Sequence, residues 1–434
     1  MSLNWLASAG QPLNGQITVP GDKSISHRAI MLGAIAEGVT KVTGFLEGED
    51  TRATARIFQQ LGVRIETPSP SERIIHGVGL HGLKATMEDL DCGNAGTAMR
   101  LLTGLLAGQK FRSKLVGDTS LSRRPMRRVT EPLSLFGASI QAEPGGFPPL
   151  IIDSKKELQG IEYKTEVASA QIKSAILLAG LYAKGTTTVY EPHPTRDYTE
   201  KMLAAFGWPI EFQSGHATLS GGHRLQATDV QVPADFSSAA FFIVAATVIP
   251  GSDLLIKSVG MNPRRTGLLA ALQLMGANIH EESRRELAGE PVADLRVRYS
   301  ALTGIEIPEA VVPDMIDEFP ALFVAAALAN GETRISGAAE LRVKESDRIA
   351  VMADALRNLG VKIVETPDGA IIQGGKILGA EADSHGDHRI AMSLAIAGQL
   401  ASDPVLIRDC ENVATSFPGF IDLSKSVGFG LNLE

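Results

Sequence analysis

Six times along this chain an apolar residue followed by glycine closes a helical stretch: Leu61-Gly62, Phe136-Gly137, Phe206-Gly207, Met275-Gly276, Leu359-Gly360 and Val427-Gly428. The glycines fall between 68 and 84 residues apart, too regular for chance and too long for a simple solenoid repeat. Glycine there reads as the residue just past a helix end, in the left-handed conformation. Short alternating strands follow, such as Val63-Arg64-Ile65-Glu66, Ala277-Asn278-Ile279-His280 and Val361-Lys362-Ile363-Val364. A chain built this way must stack copies of one structural unit.

A second signature recurs in the first half of each unit. Polar or charged residues open a helix rich in small and apolar side chains. The openings are Lys23-Ser24, Asn94-Ala95-Gly96-Thr97, Ser169-Ala170-Gln171, Asp235-Phe236-Ser237-Ser238, Asp317-Glu318 and Asp387-His388-Arg389. Each unit thus reads strand, helix, strand, helix, strand pair, an α/β layer with right-handed crossovers. At 434 residues, six units divide most simply into two domains of three. The junction falls at Val232-Pro233-Ala234-Asp235, which matches Val19-Pro20-Gly21-Asp22 ahead of the first opening. The expected lobes are 21–233, and 1–20 with 234–434. If the strand Gln16 to Val19 pairs in the C-terminal lobe, the chain crosses twice and makes a two-strand hinge beside Lys23 and Asp235.

Helix N-termini are electropositive and favour anions. Lys23 and Arg389 stand at such ends, where a cation opposes the dipole. Further cations precede the second helices: Arg123-Arg124 before Pro125, Arg196 before Asp197, Arg264-Arg265 before Thr266, and Lys344 and Arg348 around Glu345-Ser346-Asp347. Pro125 is of the type favoured at a first helical position, so Arg123 and Arg124 are expected at a helix mouth. Any one cluster could be surface decoration. Their recurrence in a chain of net charge -8 points to small, multiply charged acids as ligands.

The acidic balance argues against a nucleic-acid surface. Two cysteines, Cys92 and Cys410, make neither a disulfide framework nor a metal site, which suits a reducing cytoplasm. The start Met1-Ser2-Leu3-Asn4-Trp5-Leu6 lacks a basic signal-peptide region, and the apolar run near Phe241 to Ile249 is too short to span a bilayer. A soluble cytoplasmic protein without metal or cofactor is expected. Gly77-Val78-Gly79-Leu80-His81-Gly82 fits the dinucleotide fingerprint letter for letter, but it falls in a closing strand pair and reads as turns. Gly21-Asp22-Lys23-Ser24 resembles the end of a phosphate loop, with Gly15 one residue too far upstream. His27 and His388 lack ligand-spaced partners and read as structural or anion-binding.

The stretch Pro20-Gly21-Asp22-Lys23-Ser24-Ile25-Ser26-His27-Arg28-Ala29 resembles the N-terminal signature of the EPSP synthase (3-phosphoshikimate 1-carboxyvinyltransferase) family. Asn94 to Arg100, Arg342 to Arg348, Asp387-His388-Arg389 and Ser416-Phe417-Pro418 are similar to its later motifs, in order. The resemblance implies two domains, each an inside-out α/β barrel of three βαβαββ units. It implies transfer of the enolpyruvyl group of phosphoenolpyruvate to the 5-hydroxyl of shikimate 3-phosphate, in a monomer. Carried over by position, Lys23, Ser24, Arg28, Ser169, Ala170, Gln171, Arg196, Asp317 and Lys344 are expected to bind shikimate 3-phosphate. Lys23, Asn94, Gly96, Arg124, Gln171, Glu345, Arg348 and Arg389 are expected at phosphoenolpyruvate, with Gly96 leaving backbone N–H groups open to the ligand. Arg196 resembles the phosphate-binding arginine of one subclass. Asp317 is expected as base on the 5-hydroxyl, Glu345 as acid and base at the methylene, and Lys23 as proton partner near the leaving phosphate. Closure about the hinge would complete the site.

Many members of the family carry a lysine two residues before the Phe-Pro pair, where this chain has Thr415. Glyphosate is the family's phosphoenolpyruvate-mimicking inhibitor, and Gly96 leaves room for it while the subclass features cut the other way. The nearest rival is the transferase acting on UDP-N-acetylglucosamine, built from the same unit. That family's loop carries a reactive cysteine where this chain has Asp118 to Pro125. A non-catalytic scaffold would not need carboxylates beside cations at helix mouths.

Overall fold

The helices follow the repeat. In the computed structural model, which describes residues 3–153, 156–287 and 289–434, they run in order as α1 (Lys23–Ile35), α2 (Glu49–Gln60), α3 (Gly96–Ala107), α4 (Arg127–Leu135), α5 (Ala170–Gly180) and α6 (Tyr198–Ala205). They continue as α7 (Phe236–Val248), α8 (Gly267–Leu274), α9 (Phe319–Ala327), α10 (Arg348–Asn358), α11 (His388–Gly398) and α12 (Phe420–Val427). All six expected glycines follow the even-numbered helices, with φ between 79° and 122°. Only glycine takes that left-handed turn without steric cost.

Odd and even helices differ for a compositional reason. Every residue of α7, α9 and α11 is buried, so these helices have no polar face. Small residues let such helices approach closely. A Cβ on Gly104 of α3 would lie 2.1 Å from the carbonyl oxygen of Ala175 in α5. The even helices are two-faced: in α2, Ala53, Ile57 and Phe58 are buried while Arg52 and Arg56 are exposed.

The chain forms two compact units. One comprises Gly21–Val232 with Leu287–Glu290; the other comprises Met1–Pro20, Pro233–Glu286 and Pro291–Glu434. Each has its own apolar core, the first around α1, α3 and α5, the second around α7, α9 and α11. Helices are inside and small sheets outside. In a typical sheet, Leu90–Asp91 runs parallel to Arg112–Val116, then antiparallel Phe147–Asp153 and Ser139–Glu143 follow.

The leading strands of two repeats are exchanged. Asn14–Ile17, which precedes α1, pairs in parallel with Asp253–Gly260 in the second unit. Val230–Gln231, which precedes α7, pairs in parallel with Glu37–Thr43 in the first. The N-terminal strand Trp5–Ser8 inserts antiparallel between Val405–Arg408 and Gly430–Leu433, completing the last sheet. There Trp5 stacks on Phe420 at 5.6 Å, within a cluster that includes Phe242, Phe417 and Phe429. The fifth sheet has only three strands, its leading segment reduced to the bridges Thr303–Asn330 and Glu306–Arg334.

One local expectation is corrected. Pro125 does not open a helix; a 3-10 turn covers Leu121–Arg123, and α4 begins at Arg127 after Met126. Arg124 therefore sits in extended backbone between two short helical segments. The Gly77–Gly82 segment is strand followed by turn, with no helix before α3. No described helix is long and apolar enough to cross a membrane.

Candidate active site

In the first unit, Asp22 caps α1 by accepting from the Ile25 N–H at 2.8 Å, which places Lys23 at the helix start. Lys23 Nζ reaches Asp50 Oδ2 on α2 at 3.0 Å. One turn on, Arg28 is almost fully buried. Its guanidinium donates to Thr199 Oγ1 and Ser174 Oγ, both at 2.7 Å, and to the Ser24 carbonyl at 2.9 Å. Burial and the nearby charge of Arg196 bring the Arg28 pKa down to about 10. Two guanidinium groups that repel one another suit a shared polyanion. His27, next to Arg28 in the chain, is wholly buried and bonded to Thr54 Oγ1 at 2.8 Å. Burial and the charges of Lys23 and Arg28 drop its pKa to about 3, so it is a neutral structural ring.

The openings of α3 and α5 meet through side chains. Gln171 donates to Thr97 Oγ1 at 2.8 Å and accepts from Arg100 at 2.7 Å. Ser169 caps α5 through the Ile172 N–H. Asn94 accepts from Arg124 Nη2 at 2.6 Å and donates to Asp118 at 2.7 Å, fixing the arginine against the start of α3. Gly96 lies beneath it; a Cβ there would stand 3.3 Å from Arg124 Nη1 and 3.1 Å from Arg100 Nη1. The Gly96 N–H is not open to a ligand as expected, because it bonds the Asn94 carbonyl at 2.9 Å. No side chain caps α3.

In the second unit, Asp317 lies just before α9 within a ring of cations. Arg265 Nη1 is 2.9 Å from its carboxylate, and Lys344 and Arg348 are each at 3.6 Å. Arg389 donates to the Asp317 backbone carbonyl at 3.1 Å. Arg348 opens α10 and is 1% exposed along its side chain. It bonds Asp387, the cap of α11, at 2.9 Å and Glu345 at 2.5 Å. Burial alone would lower the Arg348 pKa, but Asp387, Glu345 and Asp317 together raise it above the ordinary value. Glu345 keeps about a quarter of its side chain exposed.

The expected residues of the second unit therefore form one connected network. Those of the first unit fall into four groups, around Lys23, Arg28, Gln171 and Arg124. Participants that had no place among the expected site residues include Arg100, Arg265 and Asp50. Arg265 belonged to a noted cation cluster, and Arg100 closed a noted motif, so the signal was present for both. Asp50 sits on a two-faced outer helix where nothing in the sequence marks it. Thr415, at the position where a lysine was expected, is buried and turns its hydroxyl to the Asn412 carbonyl at 2.6 Å.

A family model described as EPSP synthase (3-phosphoshikimate 1-carboxyvinyltransferase) matches residues 7–423. The chain belongs to the EPSP synthase family. A 3-phosphoshikimate 1-carboxyvinyltransferase of Xanthomonas euvesicatoria pv. vesicatoria (strain 85-10) is 65% identical over 428 residues, 99% of this chain and 97% of that protein. One of Xanthomonas campestris pv. campestris (strain B100) is 65% identical over 429 residues, covering 99% and 98%. The solved structure of EPSP synthase from Acinetobacter baumannii superposes over 100% of both chains with a TM-score of 0.90 at 52% identity. Family membership thus agrees with the six-repeat fold.

Proposed function

We infer that the chain catalyses the 3-phosphoshikimate 1-carboxyvinyltransferase reaction, joining the enolpyruvyl group of phosphoenolpyruvate to the 5-hydroxyl of shikimate 3-phosphate and releasing phosphate. The observation that carries the catalytic reading is Asp317, a carboxylate within 4 Å of Arg265, Lys344 and Arg348. Such a group can take a hydroxyl proton while cations orient it.

In the first step Asp317 removes the 5-hydroxyl proton as that oxygen bonds C2 of phosphoenolpyruvate. Glu345 delivers a proton to the methylene carbon, giving a tetrahedral adduct. In the second, the bond from C2 to the phosphate oxygen breaks with Lys23 beside the departing phosphate, and Glu345 takes back a methyl proton to restore the double bond. Lys23, Ser24, Arg28, Ser169, Ala170, Gln171, Arg196, Asp317 and Lys344 hold shikimate 3-phosphate in this reading. Lys23, Asn94, Gly96, Arg124, Gln171, Glu345, Arg348 and Arg389 hold phosphoenolpyruvate, the fixed positive charges of Lys23, Arg124, Arg348 and Arg389 stabilising the departing phosphate.

The UDP-N-acetylglucosamine alternative is not favoured. Residues 118 to 125 carry no cysteine, and Cys92 and Cys410 are both free and buried. Those two thiols also support a reducing cytoplasm for the working monomer. Glyphosate belongs to the proposal as a competitor of phosphoenolpyruvate beside Gly96 and Arg124. Phosphate release from phosphoenolpyruvate, measured with and without shikimate 3-phosphate, tests the reaction. Release that depends on UDP-N-acetylglucosamine instead would refute it.

A further inference from the structure

Behind the Arg28 guanidinium lies a buried charge cluster that the reaction steps above leave without a role. Lys173, on α5, has a side chain only 3% exposed, yet carries its ammonium 2.8 Å from Glu191 Oε2 and 2.7 Å from Glu200 Oε1. The Glu191 side chain is 0% exposed and that of Glu200 is 3% exposed. Burial works against all three charges. On Lys173 the two carboxylates prevail and its pKa is raised; on Glu200 burial prevails and its pKa is raised as well. An apolar trio of the same volume is often as stable as a buried ion pair, so stability alone does not account for this arrangement.

Its neighbours in sequence supply a purpose. Ser174 follows Lys173, and Thr199 precedes Glu200. Their hydroxyls lie 2.7 Å apart and are the two that grip Arg28. The ion pair between α5 and α6 therefore sets the spacing of the Arg28 clamp. Glu191 reaches further along the chain. It accepts from the Thr195 N–H at 3.3 Å and from the Thr195 hydroxyl, tying down the residue immediately before Arg196.

We propose that Lys173, Glu191 and Glu200 are positioning residues that hold Arg28 and Arg196 at a fixed separation, so that Arg196 meets the phosphate of shikimate 3-phosphate. The inference rests on the assignment of Arg196 to that phosphate. With both carboxylates ionised the trio carries one net negative charge, which partly offsets the two neighbouring guanidinium groups before the substrate arrives. A chain that turns two arginines toward one substrate must restrain their mutual repulsion. This cluster does so from behind, without touching the ligand.

The test compares binding of shikimate 3-phosphate with binding of shikimate, which lacks the phosphate, by titration calorimetry on the full-length enzyme. Glu191→Gln keeps the shape and removes the charge. Thr195→Val removes the hydroxyl bond of the tie to the Arg196 segment, keeps its backbone N–H bond and leaves the buried pair intact, so it decides the question if Glu191→Gln folds poorly. The expected result is a Kd for shikimate 3-phosphate raised at least tenfold in Glu191→Gln and at least threefold in Thr195→Val. The Kd for shikimate and the KM for phosphoenolpyruvate stay within twofold. Equal weakening of both ligands, or no weakening of either, overturns the proposal. Arg196→Ala separates the two levels. If it leaves the preference for the phosphorylated ligand intact, the arginine assignment fails; if it abolishes that preference while Glu191→Gln and Thr195→Val do not, only the positioning role fails.

Discussion

Arg265 Nη1 lies 2.9 Å from the carboxylate of Asp317 and 3.9 Å from that of Glu318, with Asp235 at 3.6 Å from its other terminal nitrogen. One buried guanidinium thus holds three acids, and only Asp317 among them is proposed to meet substrate. Arg265→Leu is expected to cost about 3–5 kcal/mol of stability, because breaking a buried pair from one side strands the remaining charges. Asp317→Asn keeps the shape and should lower kcat at least about 10²-fold, the scale of a lost general base. Thermal unfolding and steady-state kinetics on both variants check the pair. A fully active Asp317→Asn enzyme would remove Asp317 from the mechanism.

Stability should fall with acid through His27. Its folded pKa is about 3 against an ordinary 6.5, so the unfolded chain binds the extra proton between those values. The contribution is complete above pH 6.5 and declines as pH falls toward 3, at up to about 1.4 kcal/mol per pH unit. His27→Gln can keep a bond to Thr54 but has nothing to titrate. Thermal midpoints at pH 7 and pH 5 should therefore fall less in the variant than in wild type. Equal falls would show that His27 is not the linked group.

Thr415→Ala is expected to leave kcat and both KM values within about threefold. The Thr415 hydroxyl already serves the Asn412 carbonyl within its own turn, so its loss costs about 1 kcal/mol of stability and no catalytic charge. A large kinetic defect would mean that this hydroxyl meets substrate.

Gly96→Ala places a methyl 3.3 Å from Arg124 Nη1 and 3.1 Å from Arg100 Nη1, the mobile ends of two long side chains. Gly96 lacks a positive φ, so the fold should survive. The side chains must yield a few tenths of an ångström, and Arg124 is the group proposed to hold phosphoenolpyruvate. The expected outcome is a KM for phosphoenolpyruvate raised about three- to tenfold and a larger loss of glyphosate inhibition, with the shikimate 3-phosphate KM unchanged. Equal glyphosate inhibition of both enzymes would show that Gly96 does not gate the inhibitor.

Much of this architecture was legible because the repeat marks its own boundaries. A glycine past each outer helix and a polar opening on each inner one placed all twelve helices within a few residues. The exception is α4, where Pro125 looked like a helix start. Proline fixes only its own φ and can as well join two segments, as it does between the 3-10 turn and Arg127. Of the strand exchange, the sequence suggested the first half as Gln16 to Val19, two residues beyond the observed Asn14–Ile17. The Val230–Gln231 half is two residues long and carries too little pattern to read. Motif resemblance found the charged residues that line helix openings, but not their supports. Arg265, Asp50, Lys173 and Glu191 act through other side chains, and only coordinates show which side chains those are.

Two glycine substitutions with the same added methyl should separate packing from backbone conformation. In Gly104→Ala the new Cβ would sit 2.1 Å from the Ala175 carbonyl oxygen, a main-chain atom that cannot swing aside. The helices α3 and α5 must move apart, at a cost of about 1–3 kcal/mol or more. That motion also pulls Thr97 and Arg100 away from Gln171, whose amide they hold at 2.8 and 2.7 Å. Activity should therefore fall with stability. In Gly137→Ala nothing lies within 4 Å of the new Cβ, but φ is +91°. The cost is then one strained residue, about 1–2 kcal/mol, paid at a helix end whose side chains have no proposed part in binding. Its kcat and KM should match wild type at 25 °C while its thermal midpoint drops. If Gly137→Ala loses activity as Gly104→Ala does, the spacing of α3 and α5 is not what couples this core to the reaction.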